Sequence, residues 1–198
     1  MLKVGITGGI GSGKTTVCQV FQTLGIPVFY ADRAAKYLME NDAILVDGIK
    51  LLFGENIYKG GKIDRTQVAS VVFSRPDILE RLNVLIHPAT VRYGQQWMQR
   101  QTSPYVIKEA AIFFESGSYK DMDLMVGVSA PQTLRIWRTI GRDNITQEKV
   151  LERISNQMDE EEKMKRCDYV IINDGKSAIL PQILKLHEEL LKKASEKK

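Results

Sequence analysis

Residues 8–15 read GGIGSGKT, and no other stretch of the chain is as chemically specific. Glycines at positions 8, 9, 11 and 13 let successive backbone N–H groups turn toward one point, which makes a seat for an anion. The spacing is GxxxxGK[ST], with the apolar residues 2–7 before it and an amphipathic run after it. That context defines a P-loop, because the helix that follows aims its positive end at the same phosphates. In this frame Lys14 presents its ammonium to solvent and to the β- and γ-phosphates of a nucleoside triphosphate. The Thr15 hydroxyl is placed to ligate Mg²⁺. Gly9, Gly11, Ser12, Gly13 and Thr16 complete the expected phosphate contacts.

Several further residues could do chemistry beside such a loop. Asp32 follows the apolar run 27–31, at the carboxyl end of a strand, where ligands of open α/β sheets bind. Its carboxylate can accept a proton from an attacking hydroxyl or help hold Mg²⁺, and it serves equally well as N-cap of a helix starting at Arg33. Arg135, Arg138 and Arg142 are spaced by three and four, so they share one helix face. They form either a lid that clamps transferring phosphates or a solvated basic face partly neutralised by Asp143. Glu109 ends a strand and reads either as part of a Mg²⁺ shell or as a surface carboxylate. His87 and His187 are single histidines without partners in the sequence, and His187 reads as structural. Trp97 and Trp137 are expected to pack rather than stack on a ligand. Cys18 and Cys167 form no CxxC and no zinc-ligand spacing, so both are expected as free thiols, Cys18 buried.

The elements that must position these groups alternate. Strands are expected over 2–7, 27–30, 105–110, 124–128 and 169–172. Helices are expected over 15–24, 133–142, 147–157 and 177–193, the last with Ser177 as N-cap. Residues 33–101 read as mostly helical, broken by a turn or small hairpin at 53–64 that carries Gly54, Gly60 and Gly61. Strand–helix alternation predicts an α/β fold, a P-loop NTPase-type parallel sheet covered by helices. The helical stretch is too long for one crossover, so it is expected as an inserted helical substrate lobe. The division is then a single kinase-like domain with its core at about 1–32, 103–130 and 167–198, the lobe at about 33–102, and a short Arg-bearing lid at about 131–166.

Composition narrows the functional classes. The net charge is +4, but residues 192–198 (KKASEKK) supply +3 of it, as a solvated helix end would. The rest of the chain is nearly neutral, which argues for an anionic small molecule rather than nucleic acid as partner. No apolar run approaches the ~20 residues of a membrane span. The start of the chain has no signal-peptide pattern. A cytoplasmic protein, monomeric or a small homo-oligomer, is expected. A regulatory GTPase is disfavoured, since there is no Asn-Lys pair for an NKxD motif and no DxxG switch. A small-molecule kinase fits the length, the lobe and the lid; a non-catalytic nucleotide-responsive switch is the other class that a P-loop allows.

From about residue 4 to 175 the chain resembles the dephospho-CoA kinase family. The resemblance is carried by the loop at 7–16, Leu24-Gly25, Ala31-Asp32, Asp64-Arg65, His87-Pro88 and Phe114-Glu115. It continues through Arg138, Arg142-Asp143, Arg153, Gln157, Glu162-Lys163 and the run from Asp168 to Gly175. It implies transfer of the γ-phosphoryl of ATP to the ribose 3′-hydroxyl of dephospho-CoA, with Mg²⁺. It further implies Asp32 as base, Arg65 and His87 in the acceptor site, Arg138 and Arg142 as lid arginines, and Asn173 against the adenine of ATP. The family usually has Asp where this chain has Tyr30 and Glu109. It often has Gln at Arg135, which therefore falls outside the implied site. Another P-loop nucleoside or nucleotide kinase is the neighbouring alternative.

Overall fold

The computed structural model describes residues 1–197; Lys198 of the basic tail lies outside them. The chain divides into two compact units, residues 1–29 with 101–198, and residues 30–100.

The first unit is built on a five-stranded sheet. Its strands are β1 (Leu2–Thr7), β2 (Val28–Tyr30, present here through Val28 and Phe29), β5 (Tyr105–Glu109), β6 (Leu124–Ser129) and β7 (Tyr169–Ile172), in the order β2-β5-β1-β6-β7. The β1 pairs with β5 and β6, and the β6 pair with β7, are parallel. Both faces are covered, so the strands read as continuous apolar runs rather than as alternating ones. Val4, Ile6, Tyr105, Val106, Ile107, Val126 and Val128 are fully buried. Helix α1 (Lys14–Thr23) buries Val17, Cys18 and Phe21 and ends where Gly25 adopts φ 81°, a conformation that a side chain would strain. Helix α9 (Ile179–Glu196) packs against α1 and the sheet and buries Ile183, Leu186 and Leu190. His187 on α9 bonds the Tyr105 hydroxyl at 2.6 Å and is structural, as expected. Strand order reverses around β1, which puts its carboxyl end, and the loop after it, at the position where such sheets bind ligands.

Three further helices belong to this unit: α6 (Gln132–Asp143), α7 (Gln147–Ser155) and α8 (Glu160–Lys165). Helix α8 has no counterpart among the sequence expectations. It is six residues long and almost wholly charged, so it carries no apolar period to read. Its start is fixed instead by Asp159, whose carboxylate accepts from the Glu162 amide at 3.0 Å. Two other expectations change here. Ser177 does not cap α9, which begins at Ile179; its amide and hydroxyl bond the Asp174 carboxylate within the preceding loop. Trp137 does not pack: it lies on the outer face of α6 and is 72% exposed.

The second unit is helical. Its helices are α2 (Ala31–Asn41), α3 (Ala43–Phe53), α4 (Arg65–Ser74) and α5 (Pro76–Gln99). The break at 53–64 is the expected hairpin, β3 (Tyr58–Lys59) with β4 (Lys62–Ile63), antiparallel. Asp42 and Asp64 cap α3 and α4 by accepting from Leu45 N and Gln67 N. One apolar cluster joins Ile49, Ile57, Ile63 and Leu82, and a second joins Leu38, Leu45 and Ala89. Asp32 is not an N-cap. Helix α2 starts at Ala31, so Asp32 lies inside its first turn, exposed, where a carboxylate is favoured by the helix dipole. Among the described residues no helix is long and apolar enough to cross a membrane.

Candidate active site

The turn from β1 into α1 has the conformation that its glycines allow. Gly8, Gly11 and Gly13 have φ of 150°, 78° and 98°, and the last two are in the left-handed region that costs other residues strain. At Gly11 a side chain would also meet the carbonyl of Arg135, so loop and α6 are in backbone contact there. No side chain caps α1, which leaves its first amides directed at the loop's interior.

Lys14 differs from its sequence expectation. Its ammonium does not face solvent: the residue is 9% exposed and Nζ donates to Gly8 O at 2.8 Å and Gly9 O at 3.1 Å. The cation is thereby fixed beside the first residues of the loop. Thr15 and Thr16 are exposed at the start of α1, and Ser12 is buried. Below the loop, the Cys18 thiol is buried; burial pushes its pKa far up, Glu109 adds to the rise, and Lys14 opposes it. Glu109 is 7% exposed at the end of β5, so it is not a surface carboxylate. It is a buried acid whose charge is felt at the Cys18 thiol and at Arg142.

The three arginines of α6 do three different things. Arg138 donates to the Asn173 carbonyl at 3.2 Å and to its side-chain Oδ1 at 3.3 Å. Asn173 in turn donates from Nδ2 to Ser12 O at 2.8 Å, so it ties the loop to α6 from the end of β7. Arg142 is exposed and bonded to Asp143, a contact that raises its pKa. Asp143 is also bridged by Arg153, and the two guanidinium groups, Arg142 first, hold its carboxyl below the usual range. Arg135, outside the expected site, is the buried one. Its side chain is 5% exposed and bonds Glu160 at 2.6 Å, beside Gly9. Sequence reading missed Arg135, Gln157 and Glu160 as loop neighbours. The three-and-four spacing marked Arg135, but nothing local to residues 157–160 signals contact with residues 9 and 10.

The segment that carries Gln157 and Glu160 is anchored by a buried cation. Lys163 is fully buried, and its Nζ donates to Ala111 O at 2.9 Å and to Glu115 Oε1 at 3.0 Å. Burial alone would push the Glu115 carboxyl up. The Met158 amide and Lys163 outweigh that and hold it below the usual range. Removing one member of such a pair leaves the other charge half-buried and unmatched. Lys163→Met should therefore cost about 2–3 kcal/mol, reduced from the fully buried case because Glu115 keeps some solvent. For a chain of this length that is a drop of about 5–10 °C in Tm, read by thermal melting. A Tm within about 1 °C of the parent would show the anchor to be dispensable.

In the second unit, Arg65 opens α4 and bonds Glu40 at 3.0 Å, and His87 is exposed on α5 next to Pro88. Asp32 is exposed and takes part in no ion pair among the described residues. Each of these side chains can be approached from solvent.

The first unit brings Lys14, Arg135 and Arg138 around a glycine-rich loop, an arrangement suited to phosphoryl transfer. Comparison with known proteins agrees. The dephospho-CoA kinase family profile matches residues 2–178. A dephospho-CoA kinase of Bacteroides fragilis is 38% identical over 186 residues, covering 93% of this chain and 91% of the relative. One from Chlorobaculum tepidum is 39% identical over 199 residues, covering 96% and 95%. Among solved structures, the dephospho-CoA kinase of Campylobacter jejuni superposes with a TM-score of 0.71 at 27% identity, covering 96% of this chain and 97% of that one. A Shikimate kinase of Bacteroides thetaiotaomicron shares the fold at a TM-score of 0.51 and 15% identity, covering 96% and 98%. On the match of the profile and the identity of these relatives, the chain belongs to the dephospho-CoA kinase family.

Proposed function

We propose that this chain moves the γ-phosphoryl group of ATP to the ribose 3′-hydroxyl of dephospho-CoA in one in-line step. The observation that carries the reading is the convergence of Lys14, Arg138 and Asn173 on the glycine-rich loop. Phosphoryl transfer asks little covalent chemistry of a protein; it asks for positioning and for neutralisation of charge. The amides of residues 9–16 hold the phosphates, and Lys14 neutralises their inner oxygens. Arg138 and Arg142 face the transferring group. Asp32 accepts the proton of the attacking hydroxyl, with Arg65 and His87 binding the acceptor. Asn173, placed between Ser12 and Arg138, sets the loop and α6 in register while its outer face meets the adenine. The exposed Thr15 hydroxyl suits Mg²⁺, a hard cation that takes one or two protein oxygens and completes its shell with phosphate and water. When bound it neutralises phosphate charge. The reading carries with it a cytoplasmic setting and small-molecule partners.

An ADP-release assay with dephospho-CoA, shikimate, AMP, CMP and uridine as acceptors tests the assignment. Turnover with dephospho-CoA alone is expected; a better rate with any other acceptor would displace it. Within that assay Arg138→Ala should lower kcat by about 10²-fold with a smaller loss of ATP affinity, as for one preorganised donor that acts in the transition state. A loss of ATP affinity with kcat unchanged would make Arg138 a ground-state binder.

A further inference from the structure

The amides that open the P-loop are already engaged by side chains. Glu160 Oε2 accepts from Gly9 N at 2.9 Å, and Gln157 Oε1 accepts from Ile10 N at 3.0 Å. The same Glu160 oxygen holds Arg135 Nη1 at 2.6 Å. A carboxylate between a loop amide and a buried guanidinium has the contacts that a phosphate oxygen makes in such a loop.

The cluster is incompletely satisfied. Among the described residues the buried side-chain polar atoms without a hydrogen-bond partner are Ser12 Oγ, Arg135 Nε and Glu160 Oε1, and all belong to the loop or to this pair. A buried ion pair kept only for stability is expected to use its donors fully, because desolvation is otherwise uncompensated. A terminal phosphoryl group offers three oxygens and more charge than a carboxylate, so it matches spare donors better. The position along the loop also discriminates. Lys14 Nζ sits on the carbonyls of Gly8 and Gly9, and a P-loop lysine serves the β- and γ-phosphates. The anion on Gly9 N therefore stands at the terminal-phosphate end.

We propose that Glu160 is an internal anion that holds the terminal-phosphate seat of the P-loop, and that ATP binding exchanges this carboxylate for phosphate, with Arg135 passing from one to the other. The inference rests on the loop being the ATP seat. It follows that Glu160 opposes a triphosphate more than a diphosphate, and that its return assists release of ADP once the phosphoryl group has left. The exchange requires residues 157–160 to move relative to Glu115, which holds the Met158 amide and is itself paired with Lys163.

Calorimetric titration of ATP and of ADP, each with Mg²⁺ and without acceptor, tests this on the parent and on Glu160→Gln. Removing a competing occupant raises the competent fraction of the seat, so Kd for ATP should fall by about three- to thirtyfold while Kd for ADP stays within about twofold. Glu160→Asp keeps the charge but is one methylene too short for Gly9 N; it should shift the ratio in the same direction and serves if the Gln variant is unstable. Adding Arg135→Gln to Glu160→Gln should weaken ATP again and leave ADP nearly unchanged. Equal changes for ATP and ADP, or unchanged or weakened ATP binding in both Glu160 variants, would overturn the proposal. Failure of the parent itself to bind ATP would remove the nucleotide-seat reading, and the proposal with it.

Discussion

Lys14→Ala is expected to lower kcat/KM by about 10³-fold or more, because it removes a cation fixed against the loop where charge develops during transfer. The structure adds a second effect. Since Nζ holds two loop carbonyls, the substitution also loosens the loop, and Tm should drop by a few degrees at most, with far-UV circular dichroism unchanged. The two effects separate in Lys14→Met, which fills the same buried stem without the charge. Its Tm should return toward the parent while its rate does not recover. Retention of more than about a tenth of the parent rate in either variant would remove Lys14 from the phosphate-binding role.

Asp32→Asn is expected to lower kcat by about 10²–10⁴-fold, the range for loss of a general base. Its place in the first turn of α2 sharpens the comparison, because Asp32 caps nothing and its side chain is exposed. A structural role would amount to the dipole contribution of a first-turn carboxylate, about 0.3–1 kcal/mol. Tm should therefore move by about 1–3 °C at most, and ATP should still bind. A carboxylate that mainly orients Mg²⁺ would also lower kcat, but excess Mg²⁺ would partly rescue it, whereas loss of a base is not rescued. An Asp32→Asn enzyme with near-parental kcat at saturating dephospho-CoA would leave this residue only its helix-dipole contribution.

What the chain announces about itself follows from how local each cause is. The P-loop was legible because eight consecutive residues dictate both its shape and its ligand. The five strands were legible as apolar runs, and the hairpin at 58–63 because paired glycines leave few other conformations. The start of α2 was misplaced by two residues, at Arg33 rather than Ala31, since a boundary between β2 and α2 with no spacer residue has no punctuation to read. The burial of Lys14 was missed because a lysine on a helix reads as solvent-facing until a turn of positive-φ glycines wraps two carbonyls over its end. Glu160 was invisible for a different reason. Its partner in the loop lies 151 residues away and Arg135 lies 25 away, and a glutamate in a charged run looks like a solvated face. Arg135 shared a spacing with Arg138 and Arg142, but helical periodicity cannot tell which side chain of a face is swallowed by a neighbouring loop.

The two thiols carry a practical consequence for following motion. Cys18 is buried and its pKa is driven far above neutrality, while Cys167 is half-buried and pushed up to about 12, by burial first and then by Asp168. Since the thiolate is the reactive form, both shifts lower the nucleophilicity of these sulfurs near neutral pH. The natural cysteines are thus expected to react slowly with maleimide and iodoacetamide reagents. Cysteines introduced at exposed Trp137 in the first unit and exposed Val84 in the second would take dyes almost alone. An energy-transfer pair placed in this way reports the distance between the two units during turnover without first stripping the chain of its own cysteines.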